Sequence, residues 1–300
     1  MTADHQALLK EFRPRKSFFV GVDSDGCAFN SMEVKHNDCF SVALVRYFGL
    51  GAISRQAHQV WDFVNLYSPT RGCNRFKALI YTFDFLAEMP RVKASGVKLP
   101  PLPHLRAWVK AESNLSNPRL AQLVETASGE ARAEYALALE WSKGVNRYVE
   151  EVVRDLPPLP SVAPALQRLG QDADVMVVSA TPEEALRREW AQHGIDRLVT
   201  LIAGQEMGSK REHLALAAQG KYPAEQVLMI GDAPGDLDAA RAVGALFYPI
   251  NPGAEEESWA RLLSEGIDRF FSRRYAGAYE ARLIEDFSKL LPGEPPWTRQ

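Results

Sequence analysis

The chain has 300 residues, more than a usual single domain, so two modules are expected. At 46% hydrophobic and 24% charged residues it has the makeup of an ordinary globular protein able to bury a sizeable core. Its net charge of −3 argues against a general attraction to nucleic acid or to anionic membranes, so neither is expected as a partner.

The first residues, Met1 to Gln6, lack the charged-then-apolar pattern of an export signal, and no run of about 18 apolar residues is present to span a bilayer. The expected location is the cytoplasm. The first informative segment follows, Phe18-Phe19-Val20-Gly21-Val22-Asp23-Ser24-Asp25-Gly26. Its uncharged start, rich in aromatic and β-branched side chains, reads as a strand buried on both faces, with Asp23 emerging at its end. Open α/β sheets bind ligands at that end. Two acids on a Gly-containing turn suit magnesium-assisted phosphoryl transfer, one carboxylate attacking phosphorus while the other handles the leaving-group proton.

From Asp25 to about residue 157 the pattern is helical. Ala57, Val60, Trp61 and Val64 share one face, as do Phe76, Leu79, Ile80, Phe83 and Leu86, and further helices are expected over 103–112, 117–127 and 130–154. Within this stretch, Tyr67 to Lys77 is a loop leading into a helix. It concentrates Arg71, Arg75 and Lys77 with Asn74, which reads as a clamp for a second anionic or polar group of a substrate, with Arg71, Asn74 and Arg75 as its binding residues. Lys35 and His36 form a weaker pair, with His36 read as a packing or surface residue. Cys27, Cys39 and Cys73 are odd in number and lack CxxC spacing, so neither a disulfide framework nor structural zinc is expected; Cys27 reads as a small buried side chain.

Leu156-Pro157-Pro158-Leu159-Pro160 then breaks the helical pattern. Beyond it short helices and strands alternate: helix 161–170, strand 174–179, helix 182–193, strand 198–203, helix 209–218, strand 226–231, helix 235–243 and strand 245–250. Two further helices are expected after Pro252. Such alternation implies a doubly wound, Rossmann-like parallel sheet completed by the N-terminal strand. The expected fold is therefore an α/β core, residues 1–30 and 158–300, interrupted by an inserted α-helical domain, residues 31–157.

Two of the later strands also end in polar tips. Val175 to Val178 leads to Ser179-Ala180-Thr181-Pro182, and Val227 to Ile230 leads to Gly231-Asp232-Ala233-Pro234-Gly235-Asp236-Leu237-Asp238. Between them, Ser209 is placed to cap a helix whose first turn carries Lys210. A cation there opposes the helix dipole, so an anionic neighbour is expected.

The ordered set Asp23-to-Gly26, Ser179, Lys210 and Gly231-to-Asp236 resembles the four signature motifs of the haloacid dehalogenase superfamily. The resemblance implies a Mg²⁺-dependent phosphohydrolase acting on a small phosphorylated metabolite, with the helical insertion as a cap that selects substrate. It also implies roles. Asp23 is the nucleophile that forms an aspartyl-phosphate, Asp25 the acid and base, Ser179 a phosphoryl hydrogen-bond donor and Lys210 a charge stabiliser. Asp23, Asp25 through its carbonyl, Asp232 and Asp236 form the magnesium site, Asp236 orienting the ion or its waters. Thr181 competes with Ser179, and Asp238 with Asp236. A phosphomutase or phosphotransferase of the same superfamily is the alternative. A dehalogenase is disfavoured by Asp25, and a non-catalytic protein by the retention of every motif residue.

Overall fold

The structure is a computed structural model that describes residues 5–298. Five strands form one all-parallel sheet: β1 (Phe18–Val22), β2 (Ala173–Val178), β3 (Leu201–Ala203), β4 (Val227–Gly231) and β5 (Leu246–Pro249), in the order β3-β2-β1-β4-β5. The chain starts in the middle, runs outward to β3, then returns to the other side of β1. Strand order therefore reverses between β1 and β4, and this switch point opens a crevice at the strands' carboxyl ends.

Alternating side chains of each strand feed two apolar layers. Phe18, Val20 and Val22 of β1 join Val175, Val177, Leu228, Ile230 and Tyr248 in one cluster, closed by the helices Val162–Leu169 and Glu183–Gln192 and by the chain around Trp259. Phe19 points the other way, with Met176, Val178, Met229 and Phe247, against the helices Lys210–Ala217 and Pro234–Val243. Every residue of β1, β2, β4 and β5 is buried, as in a sheet covered on both faces, including Asp174 of β2, which accepts from the Arg15 and Lys16 N–H groups and the Tyr222 hydroxyl. β3 is shorter than expected, because Asp196–Leu198 forms a 3₁₀ turn and Thr200 pairs by its own N–H with the Val175 carbonyl before the strand begins.

The chain divides into two compact units: Met1–Ser31 with Asp155–Leu291, and Met32–Arg154 with the residues from Pro292 onward. The second unit is helical. Its core surrounds Trp61, Trp141, Phe76 and Phe83, all buried, with Trp61 and Trp141 meeting edge to face at 5.9 Å. The long helix Gly129–Val152 supplies Trp141 and Val145. Residues 292–298, expected in the α/β core, cluster instead with this helical unit. Pro292 and Pro295 end the preceding helix pattern, and Trp297 packs edge to face on Phe63 (5.4 Å) and Phe85 (6.1 Å). Among the described residues no helix is long and apolar enough to cross a membrane.

Candidate active site

Strand ends bring the motif residues of the α/β unit together. Asp23 follows β1, and its N–H donates to the Ile230 carbonyl of β4 at 2.9 Å, so the sheet ladder itself fixes where its side chain leaves. Gly26 takes the left-handed conformation (φ 73°) that turns the chain back after Asp25. The turn closes through Gly26 N–H to the Phe29 carbonyl, 2.8 Å, and Phe29 N–H to the Ser24 carbonyl, 3.0 Å.

The Asp23 carboxylate is buried. Oδ1 accepts from the Ser24 N–H at 2.7 Å and Oδ2 from Lys210 Nζ at 2.5 Å. Lys210 also donates to Asp236 Oδ1 at 2.6 Å. Lys210 occupies the first helical position after Ser209, whose hydroxyl accepts from the Glu212 N–H while Glu212 accepts from the Ser209 N–H. The capping box settles the helix start against an unfavourable dipole, and Asp23 and Asp236 are the anionic neighbours expected of a lysine there. Asp236, fully buried in the first turn of Pro234–Val243, also accepts from the Ala233 N–H at 3.1 Å. Gly231 allows this approach: a Cβ there would lie 2.4 Å from the Asp236 carboxylate. Asp238 is exposed on the same helix.

Asp23, Asp232 and Asp236 each offer an oxygen within 4.8 Å of the others, and all three are buried. Burial pushes the Asp23 carboxyl up to about 7, with Asp236 adding to the shift and Lys210 opposing it. Burial raises Asp236 as well, against Lys210. For Lys210 burial acts downward, but the Asp23 and Asp236 charges outweigh it and hold the ammonium above the ordinary lysine range. Two of these carboxylates, Asp23 and Asp236, share the partly buried Lys210 ammonium, with Asp232 beside them. An all-oxygen donor set with surplus negative charge fits a small hard divalent cation such as Mg²⁺.

Asp25 lies apart from this triad. Its Oδ1 accepts from the Ser31 hydroxyl at 2.5 Å and its Oδ2 from the Thr181 hydroxyl at 2.8 Å. Thr181 is therefore engaged with Asp25, whereas Ser179, buried at the end of β2, accepts the Thr181 N–H at 3.2 Å. In the sequence Ser31 carries no motif signal, and Thr181 stands only as a rival of Ser179. A hydroxyl six residues after Asp25 is a faint signal without the turn geometry.

In the 67–77 segment, the expected clamp residues Arg71, Asn74 and Arg75 make hydrogen bonds inside the helical unit. Arg75 donates to Asn146 Oδ1 (2.7 Å), the Ser142 hydroxyl (3.0 Å) and the Ser142 carbonyl (3.2 Å), and its guanidinium lies over the Phe40 ring at 5.0 Å. Burial lowers its pKa to about 10. Asn74 caps the helix Arg75–Glu88 by accepting the Phe76 N–H, and donates to the Leu115 carbonyl at 2.9 Å. Arg71 is buried and donates to the Leu66 carbonyl at 3.0 Å. His36 is a packing residue: its Nδ1 accepts from the Trp61 indole at 3.0 Å, and its ring stacks on Phe40 at 4.8 Å. Cys27 is a buried thiol, raised well above its ordinary pKa by burial and then by Asp23.

The family model of the haloacid dehalogenase-like hydrolases matches residues 81–244, more than half of the chain. The chain belongs to that family. No curated protein matches the sequence. Among solved structures, a predicted phosphoglycolate phosphatase from Haemophilus somnus aligns with a TM-score of 0.50 at 17% identity, over 84% of this chain and 99% of that one. A haloacid dehalogenase-like family hydrolase from Xanthomonas campestris aligns with a TM-score of 0.45 at 11% identity, over 87% and 96%. At 17% identity the likeness to the first is one of fold. For this haloacid dehalogenase-like hydrolase, the parallel sheet, the helical insertion and the acid-lined switch point belong to one architecture.

Proposed function

We propose that this haloacid dehalogenase-like hydrolase is a Mg²⁺-dependent phosphohydrolase of small phosphorylated metabolites, working through an aspartyl-phosphate on Asp23. The observation that carries the reading is the pairing at the end of β1. A buried carboxylate, Asp23, is oriented by one backbone N–H and by Lys210, and two residues on a second carboxylate, Asp25, is gripped by two hydroxyls. One acid is fixed for attack and the other for proton transfer.

In this reading an Asp23 oxygen attacks phosphorus in line, and the bond to the ester oxygen breaks. Asp25 gives its proton to that oxygen, then takes one from the water that hydrolyses the acyl-phosphate. Lys210 offsets charge on the phosphoryl group and the nucleophile, and the Ser179 hydroxyl donates to a phosphoryl oxygen. Asp23, the Asp25 carbonyl, Asp232 and Asp236 would hold Mg²⁺, which when bound draws charge from phosphoryl oxygens. The helical unit, residues 31–157 by sequence, acts as the cap that selects what is attached to the phosphate.

Replacing Asp23 with Asn removes the nucleophile and keeps its shape, so turnover of p-nitrophenyl phosphate with Mg²⁺ falls to background while the melting temperature holds. Near wild-type turnover by Asp23→Asn would refute the covalent route. Chelation by EDTA is expected to abolish activity and added Mg²⁺ to restore it; full activity in metal-free buffer would remove the metal from the account.

A further inference from the structure

Ser24 lies between the two carboxylates, and its side chain turns away from them into the core. The residue is fully buried. Its hydroxyl accepts from the Trp190 indole N–H at 3.0 Å and donates to Glu189 Oε2 at 3.4 Å. Its backbone serves the loop: the N–H donates to Asp23 Oδ1, and the carbonyl accepts from the Phe29 and Cys27 N–H groups at 3.0 and 3.3 Å. Trp190 is itself fully buried and meets Phe29 edge to face at 6.0 Å, so one indole touches both ends of the loop Ser24–Phe29.

Trp190 belongs to the helix Glu183–Gln192, which starts directly after Thr181 and Pro182. One short segment therefore supplies two attachments to the acid loop: the Thr181 hydroxyl on Asp25 and the Trp190 indole on Ser24. Losing the Ser24 hydroxyl leaves the buried indole N–H without this acceptor, whereas losing the indole leaves the hydroxyl its bond to Glu189.

We propose that the Ser24–Trp190 hydrogen bond is a positioning device for the phosphoryl-transfer loop, with Ser24 and Trp190 holding the separation of Asp23 and Asp25 by a link on the far side of the loop. The proposal rests on the phosphohydrolase reading. It assigns work to the residue between the two aspartates, where the motif itself asks only for a small side chain.

The test uses the full chain with Mg²⁺ and p-nitrophenyl phosphate, in wild type, Ser24→Ala, Trp190→Phe, the double variant and Asp23→Asn. Losing one oriented hydrogen bond is expected to lower kcat about tenfold with KM little changed, and the double variant should be no slower than the slower single, since both remove one interaction. A second readout needs no turnover. In a ¹⁵N-tryptophan spectrum the Trp190 indole signal, identified by its loss in Trp190→Phe, should move upfield in Ser24→Ala. This readout also keeps the proposal falsifiable if Trp190→Phe folds poorly. An unmoved indole signal, a Ser24→Ala kcat within twofold of wild type, or losses that multiply in the double variant would overturn the positioning role while leaving the phosphohydrolase reading intact. An inactive wild type, or an active Asp23→Asn, would overturn the phosphohydrolase reading and the positioning role with it, whatever the indole reports.

Discussion

Close approach sets the terms at individual residues. Gly231 sits against the Asp236 carboxylate at a distance no side chain allows. In Gly231→Ala the acid must move, and Lys210, which it shares with Asp23, must follow. A displacement of about 1 Å in such a constellation costs on the order of a hundredfold in rate, so kcat of Gly231→Ala should fall by that order with the fold retained. Steady-state kinetics beside a thermal melt would show it. Arg75 makes the opposite prediction. Its charge-assisted hydrogen bonds to Ser142 and Asn146 and its seat over Phe40 lie within the helical core, so Arg75→Ala should destabilise the protein by roughly 2–4 kcal/mol. Urea unfolding measures this; a substrate clamp would instead raise KM at unchanged stability.

At the scale of elements, the helix Lys210–Ala217 joins the acid cluster at the strand ends to acid stability. His213 on this helix is fully buried, and burial, with the Lys210 charge adding, lowers its pKa to about 4. The unfolded chain takes up the proton below its ordinary value of about 6.5, whereas the folded protein resists until about 4. Stability is therefore lost as pH falls through that window, and the His213 share reaches roughly 2.5 kcal/mol at pH 4.5. Urea midpoints at pH 7 and 4.5 should differ less in His213→Gln than in wild type by about that amount. Equal pH dependence in both would show that the histidine is charged in the folded state.

For the whole molecule, the C-terminal residues are part of the helical unit through Trp297. Trp297→Ala removes its edge-to-face contacts with Phe63 and Phe85, and should destabilise that unit by about 1–3 kcal/mol, visible as faster amide exchange in the helices Ser54–Leu66 and Arg75–Glu88. What the sequence made legible follows from the range of the forces involved. The strands of the α/β unit were readable because a two-sided sheet demands unbroken apolar runs, and Asp23, Ser179, Lys210 and Asp232 because each follows such a run or a cap. Ser31, Thr181 and Trp190 act through hydrogen bonds that only the folded loop creates. The partners of Arg75, Ser142 and Asn146, lie up to 71 residues further on, so no local pattern points to them. Trp297 was a lone aromatic near the end of the chain, with nothing local to say which core would take it.

The place of β1 in the sheet also sets an order of events during synthesis. Phe18 pairs with Ala173 and Phe19 with Val227, so the strand that carries Asp23 is made first and acquires its neighbours only after most of the chain has left the ribosome. At about 5–20 residues per second, the wait for β2 alone is roughly eight to thirty seconds. The helical unit, whose contacts lie almost wholly between residues 32 and 154, can condense in that interval. Until then Phe18–Val22 is an apolar strand with two open edges, a template for pairing with other nascent chains. The central position that delivers Asp23 to the switch point thus makes β1 the strand that waits longest for its partners.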